Sequence, residues 1–507
     1  MTKMNSFLLF SILLMIGCRN ATLPQQFEET TQKPAIYPDY SNITIPPNIA
    51  PMNFSIQEEG DRFLTKISAG SESLLLTGKT VDIPLPAWKK MLLNNIGKNI
   101  CFDIFVQKNN KWTKFQSITN KITENPIDPW LSYRLIAPGY EHYSFLGLFQ
   151  RNLETFKETP FFRGNLVDEK TCTNCHNYQN RKTDNFLFHT RISLGGTVFV
   201  TNGEAVKIET KTDETGGACV YPSWHPDLPL VAFSVNNTVQ IFHSLSLDKI
   251  EVLDTFSDLV LYDVEKHAIS RILPKSDDSF ETFPSWAPDG RTLYYCVAHL
   301  DLKVPRENKT ERKKAALKHY SDFKYNLMKI PFDPATRTFG EPELVIDAAA
   351  IDKSVLFPRV SPDGKSLLYT LSKYGTFPIW HPDSDLWLLN LQTGENQPLN
   401  DVNSCESESF HNWDSTGNWF VFSSRRDDGS YTRLYFTHKN QDGSFSKPFL
   451  LPQKDPEQNI VLMKSYNIPE LMTEPIDISI VELARAARVP DPPKATFISE
   501  QEKTAKK

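Results

Sequence analysis

Apolar and polar residues along this chain alternate in short runs with a period of two, and few stretches keep a helical stripe. Between residues 51 and 135 the runs are Asn53-Phe54-Ser55-Ile56, 73–76, 99–106 and 111–119. Polar turns separate them at roughly ten-residue spacing, which predicts a small β-sandwich-like domain. Residues 87–94 read as a turn or two of helix inside it. Residues 136–195 lose the rhythm and mix helix and loop signals, as over 143–156. From 196 to 460 a repeat takes over. Tyr221-Pro-Ser-Trp-His-Pro-Asp, Phe283-Pro-Ser-Trp-Ala-Pro-Asp-Gly, Phe357-Pro-Arg-Val-Ser-Pro-Asp-Gly and the degenerate Phe410-His-Asn-Trp-Asp-Ser-Thr-Gly align, each followed by an apolar run.

The physics of the repeat is that of a bulged hairpin. Proline presets φ for a type I turn, aspartate suits the next position, and glycine supplies the left-handed one. The aromatic before the turn packs between neighbouring sheets. Trp224, Trp286, Val360 and Trp413 are 62, 74 and 53 residues apart. A bare four-stranded blade takes about 40–45, so insertions are expected. One is 303–324, where eight Lys or Arg stand against four Asp or Glu counted from Asp301, read as a solvated helical excursion. The predicted fold class is therefore mainly β: a β-sandwich-like domain at 51–135, a linker segment at 136–195, and a β-propeller of five or six blades at 196–460. Residues 197–208, with the turn Asn202-Gly203, have strands to close the ring. A C-terminal extension, 461–507, has a helical piece near 481–488 and a Pro- and Lys-rich end.

Composition changes the picture at the N-terminus. Lys3 precedes an apolar run over 7–16, signal-peptide length rather than the ~20 residues of a membrane span. It ends at Gly17-Cys18, so residues 1–17 are expected to be cleaved and Cys18 lipidated. The proline-punctuated stretch 18–50 then serves as anchor and tether. This places the protein in the cell envelope, lipid-anchored at the outer membrane and facing the periplasm. A net charge of −6 over 507 residues, with no concentrated basic face, speaks against nucleic acid as a partner.

Cys172-Thr173-Asn174-Cys175-His176 is a C-x-x-C-H motif. Two thiols at this spacing can form thioethers to one haem c, with His176 on the iron, and export adds the compartment where such attachment occurs. A thioredoxin-like pair would need a βαβ surround, a structural zinc a second ligand pair, and a plain disulfide stays open. For the sixth iron ligand, His189 lies 13 residues after His176 among apolar neighbours, and Arg191 suits a propionate contact. His142 is the second candidate; a methionine or an open site is the third.

The chain resembles bacterial lipoproteins described as cytochrome c-related or TolB-like proteins with a WD40-like propeller. The segments carrying the resemblance are Tyr37-Pro-Asp-Tyr, Ile45-Pro-Pro-Asn-Ile-Ala-Pro, Tyr133-Arg-Leu-Ile-Ala-Pro-Gly-Tyr, the C-x-x-C-H, His189-Thr-Arg, and Lys464-Ser-Tyr-Asn-Ile-Pro-Glu. It implies an exported protein with covalent haem ahead of a propeller; the first functional expectation beside it is electron transfer or redox sensing, with the propeller docking a redox partner or envelope protein. The alternative is a non-catalytic scaffold that binds protein or peptide, with structural haem or a C-x-x-C disulfide. A haem peroxidase ranks third. No G-x-S-x-G elbow and no H-E-x-x-H signature is present.

Overall fold

The structure, a computed structural model, describes residues 22–138, 141–246 and 248–499. The leader and Cys18 lie outside the described residues. Six four-stranded antiparallel units make the body of the molecule: four are separate sheets, and two are joined by a parallel bridge, Ser257 to Phe280, within one ten-stranded sheet. Blade two is Thr171–Gln179, Lys182–Ile192, Gly196–Thr201 and Glu204–Ile208. Blade three is Cys219–Trp224, Leu230–Phe242, Ile250–Asp263 and Ala268–Arg271, and blade four is Ser279–Trp286, Thr292–His299, Tyr325–Asp333 and Glu343–Ile346. Blade five is Ser354–Val360, Ser366–Ser372, Asp385–Asn390 and Asn396–Pro398; blade six is Glu408–Trp413, Trp419–Ser424, Arg433–His438 and Phe449–Leu450.

Blade one closes the ring from both ends of the chain. Its outer three strands are Trp130–Ile136, Gly147–Asn152 and Glu158–Arg163, and its inner strand is Ser465–Met472, paired antiparallel with Trp130–Ile136. The inner strands of the six blades are neighbours in sequence around the ring. Blade faces pack on blade faces, so strands are buried on both sides and read as unbroken apolar runs rather than as alternation. Leu230-Val-Ala-Phe-Ser-Val, buried throughout, is one such run.

Strands therefore begin at Trp130, well before the repeat becomes readable, and residues 136–195 fold mostly as blade rather than as helix and loop. The reason is a repeat too degenerate to recognise. Each inner strand carries a bulge opened by one non-glycine residue with left-handed φ: Cys175 (36°), Tyr221 (49°), Phe283 (52°), Phe357 (53°), Phe410 (47°) and Ile468 (49°). Each costs backbone strain of roughly 1–3 kcal/mol, and the surrounding sheet enforces it. Cys175-His-Asn-Tyr thus occupies the slot of Tyr221-Pro-Ser-Trp, and matches Phe410-His-Asn-Trp at its two middle positions. In blade two Asn180 and Arg181, both left-handed, make the hairpin turn that Pro-Asp-Gly makes elsewhere.

The N-terminal domain is a seven-stranded sheet and a three-stranded sheet, with helix Leu85–Asn94 burying Trp88, Met91 and Leu92. It shares one core with blade six, where Trp419 Nε1 donates to the Asn125 carbonyl at 3.0 Å and Ser415 Oγ to Asp128 at 2.6 Å. The basic insertion does contain a helix, Lys309–Lys318, but one face is docked. Arg312 is buried and bonds the carbonyls of Thr255, Asp277 and Val304. At the C-terminus, helix Ile480–Ala487 starts from a Ser479–Glu482 capping box. Beyond it Thr496–Phe497 pairs with blade three.

Candidate functional site

The left-handed residue of each inner strand points its side chain at the ring axis. Tyr221, Phe283, Phe357 and Phe410 meet in succession at 4.6, 4.2 and 4.5 Å between ring centres, the first pair edge-on and the next two tilted, and Ile468 and Cys175 complete the circle. These six side chains close the central channel down to a void of about 40 Å³. Above them the channel opens into a cavity of about 940 Å³. Cys175, Tyr221, Phe410 and Ile468 line its floor. Phe377, Ile379, Trp380 and Tyr431 form one wall, and Asn236, Thr238, Gln240, Ile250 and Val252 of the long blade-three hairpin form another. Below the plug a smaller pocket of about 120 Å³ is bounded by Arg181, Arg359 and Glu470.

Cations outnumber anions in the upper cavity. Arg134, Arg191, Lys211 and Arg425 line it, against Glu209 alone, whose Oε1 accepts from the Lys211 backbone N–H at 2.8 Å. The Arg425 guanidinium lies 3.3 Å above the Trp380 ring centre, and its Nε donates to the Ile379 carbonyl at 2.5 Å. Burial pulls it down to about 9. Arg134 bonds Asn174 and, through Nη2 at 3.3 Å, Asn467. Neither Arg134 nor Arg191 has a carboxylate partner among the described residues.

The C-x-x-C-H residues part company here. Cys175 faces the channel. Cys172 stands across from Arg191 in the sheet; burial raises its thiol, while Arg134 and Arg191 oppose that. His176 turns toward blade one: its Nε2 is 2.9 Å from Ser132 Oγ, its ring meets Phe161 edge-on, and burial pushes it down to about 3. His189 turns the other way, toward Phe233 of blade three, with Nδ1 2.9 Å from Thr197 Oγ1. It too is pushed down to about 3 by burial. The sheet of blade two separates the two imidazoles, so no single iron takes both in this fold. His142 caps the turn Tyr143–Phe145 and lies 2.8 Å from Ser144 Oγ. Of the expected haem contacts, Cys175 and Arg191 line the cavity, Cys175 buried and Arg191 exposed.

A haem needs both thiols on one face with the next imidazole on the iron. An extended, bulged strand puts Cys175 into the channel and His176 between two packed blades, so these residues, as folded, do not fit the group. Cys101, Cys219, Cys296 and Cys405 are free thiols, as are the motif cysteines. The cavity itself was missed in the sequence. Its floor residues are the first letters of the aligned repeats, and only the alignment of Cys175 and Ile468 with them would have revealed the ring.

Comparison with known proteins adds little. No protein-family profile matches the chain, and no curated protein does. Among solved structures, TolB from Acinetobacter baumannii is similar with 11% identity and a TM-score of 0.43, over 76% of this chain and 85% of that one. Oligogalacturonate lyase in complex with manganese is similar at 12% identity and TM-score 0.36, over 62% and 73%. An oligogalacturonate lyase from Vibrio parahaemolyticus gives 14% and 0.35, over 69% and 88%. The order of the sheets decides the architecture. The fold is a six-bladed propeller with a β-rich N-terminal domain. No helix among the described residues is long and apolar enough to cross a membrane.

Proposed function

We propose that the protein is a non-catalytic binding scaffold of the bacterial cell envelope, and that the channel-mouth cavity is its ligand site. One observation carries this: a cavity of about 940 Å³ stands over a channel closed by six inward side chains. A plugged channel cannot pass a ligand through, but it gives a ligand a floor. Large concave sites with an apolar lining and a few placed polar groups are the usual binding sites of folded proteins. The charged leader, the apolar run over 7–16 and Gly17-Cys18 support export and a lipid anchor. Electron transfer through covalent haem needs one face for Cys172, Cys175 and His176, which the blade-two strand does not offer; the scaffold function needs nothing the fold lacks.

Native mass spectrometry of the protein purified from its own envelope tests this. A bound mass on the wild type is expected, and Cys175→Trp, which raises the cavity floor by an indole, should lose it. A wild type with no bound mass, or one that Cys175→Trp retains, contradicts the assignment.

A further inference from the structure

The upper cavity holds a guanidinium pair without a counter-charge. Arg134 is on the second strand of blade one and Arg191 on the second strand of blade two, so the ring brings together two residues 57 positions apart. Arg134 spends its Nη groups on two neutral amides, of Asn174 and Asn467, and its buried Nε has no partner. Burial pulls Arg134 down, the neighbouring Cys175 and Cys172 oppose this, and Arg191 adds to the burial. The carboxylate on the cavity wall, Glu209, lies within 4 Å of neither, and its Oε1 is bound to the backbone of Lys211. Leaving a half-buried cation beside a second cation without an anion is costly, and folded proteins rarely keep that arrangement for stability alone. Guanidinium groups present paired donors that match a carboxylate. Beside them the floor offers the aromatic side chains of Tyr221 and Phe410, and Trp380 stands in the wall.

We infer that the cavity takes a carboxylate attached to an apolar or aromatic body, with the carboxylate against Arg134 and Arg191 and the body on the Tyr221–Phe410 floor. This rests on the cavity being the ligand site, as proposed above. The chemistry is shared by a free organic acid and by the C-terminal end of an apolar peptide, and the two differ in reach rather than in the anion.

Isothermal titration of the full mature chain tests it with four probes: 2-naphthoate and 2-naphthamide, and N-acetyl-Phe-Phe as its free acid and as its amide. Both acids, or the one from the true source, should bind at least tenfold more tightly than the matching amide. Tighter naphthoate points to a free acid, tighter peptide to a chain end. Arg191→Gln should bring the acid down to the amide's affinity with an unchanged circular dichroism spectrum, because this exposed side chain holds no other part of the fold. Thr238→Trp, on the hairpin wall, should block every probe that binds. Acid and amide binding equally, with both lost in Thr238→Trp, would overturn the anion preference and leave the cavity as the site. Binding indifferent to Thr238→Trp, or no binding by any probe at 1 mM, would overturn the cavity assignment and the inference with it.

Discussion

His411 shows how single residues are held in this ring. Its Nε2 bonds the Leu368 carbonyl at 3.0 Å, its Nδ1 has no partner, and burial pushes it down to about 3. A histidine resisting protonation in the fold, against about 6.5 in the open chain, gives stability that is present above pH 6.5 and lost as pH falls from there toward 3. At pH 5 the loss is about 2 kcal/mol. Glu281 works in the opposite sense, because burial raises it to about 7. Its contribution is full below pH 4.5 and is lost as pH rises through 7. The two effects offset one another in the wild type, so the variant is the informative protein. The destabilisation caused by His411→Asn should be about 2 kcal/mol smaller at pH 5 than at pH 7.5, measured by urea unfolding at both. Equal destabilisation at the two pH values would show that folding does not depress His411 and that it is protonated in the fold at pH 5.

At the scale of the element, the decisive fact is that Cys175-His176-Asn177-Tyr178 is a blade repeat. Four of the six inner strands place proline where blade two has His176: Pro222, Pro284, Pro358 and Pro469. Those prolines sit inside their bulges, and His176 fills the same slot directly after the Cys175 bulge, opposite Phe188. His176→Pro should therefore cost only about 1–2 kcal/mol, chiefly from lost packing against Phe161 and Ser132. Tyr178→Pro, two residues on and paired with Phe186, should cost about 3 kcal/mol or more. Thermal unfolding of the two variants ranks them, and a His176→Pro protein less stable than Tyr178→Pro would refute the equivalence. The four repeats with an aromatic at the bulge were legible because turn chemistry accompanied it: Pro-Asp in three, the degenerate Asp-Ser-Thr-Gly of blade six in the fourth. Blade two was not, because its turn is Asn180-Arg181 and its bulge residue is a cysteine. A motif with strong chemical meaning stood over a repeat with little sequence left.

At the scale of the whole molecule, the last inner strand, Ser465–Met472, joins strands more than 300 residues earlier, and no local pattern announces such a closure. The mainly β class, the propeller and a blade count of six within the expected five or six were legible from periodicity and repeats, whereas the stretch 18–50, expected as a tether, instead supplies strands Glu28–Glu29, Ile36–Tyr37 and Thr44–Ile45 to the N-terminal sheets. The ring's plug and the cavity above it were not, because each of the six blades contributes one residue. That geometry also governs how the C-x-x-C-H is understood. Closure of the ring packs blade one against blade two, buries His176 between them and turns Cys175 to the axis, so the motif's three side chains cannot serve one macrocycle. A pyridine haemochrome spectrum, taken on protein matured in a periplasm equipped for haem attachment and then denatured, tests this most directly. The expected result is no covalently retained haem, with both thiols of Cys172 and Cys175 free to react with a maleimide. A spectrum of one haem per chain, with those thiols blocked, would contradict the blade-two structure and restore the motif as a haem site.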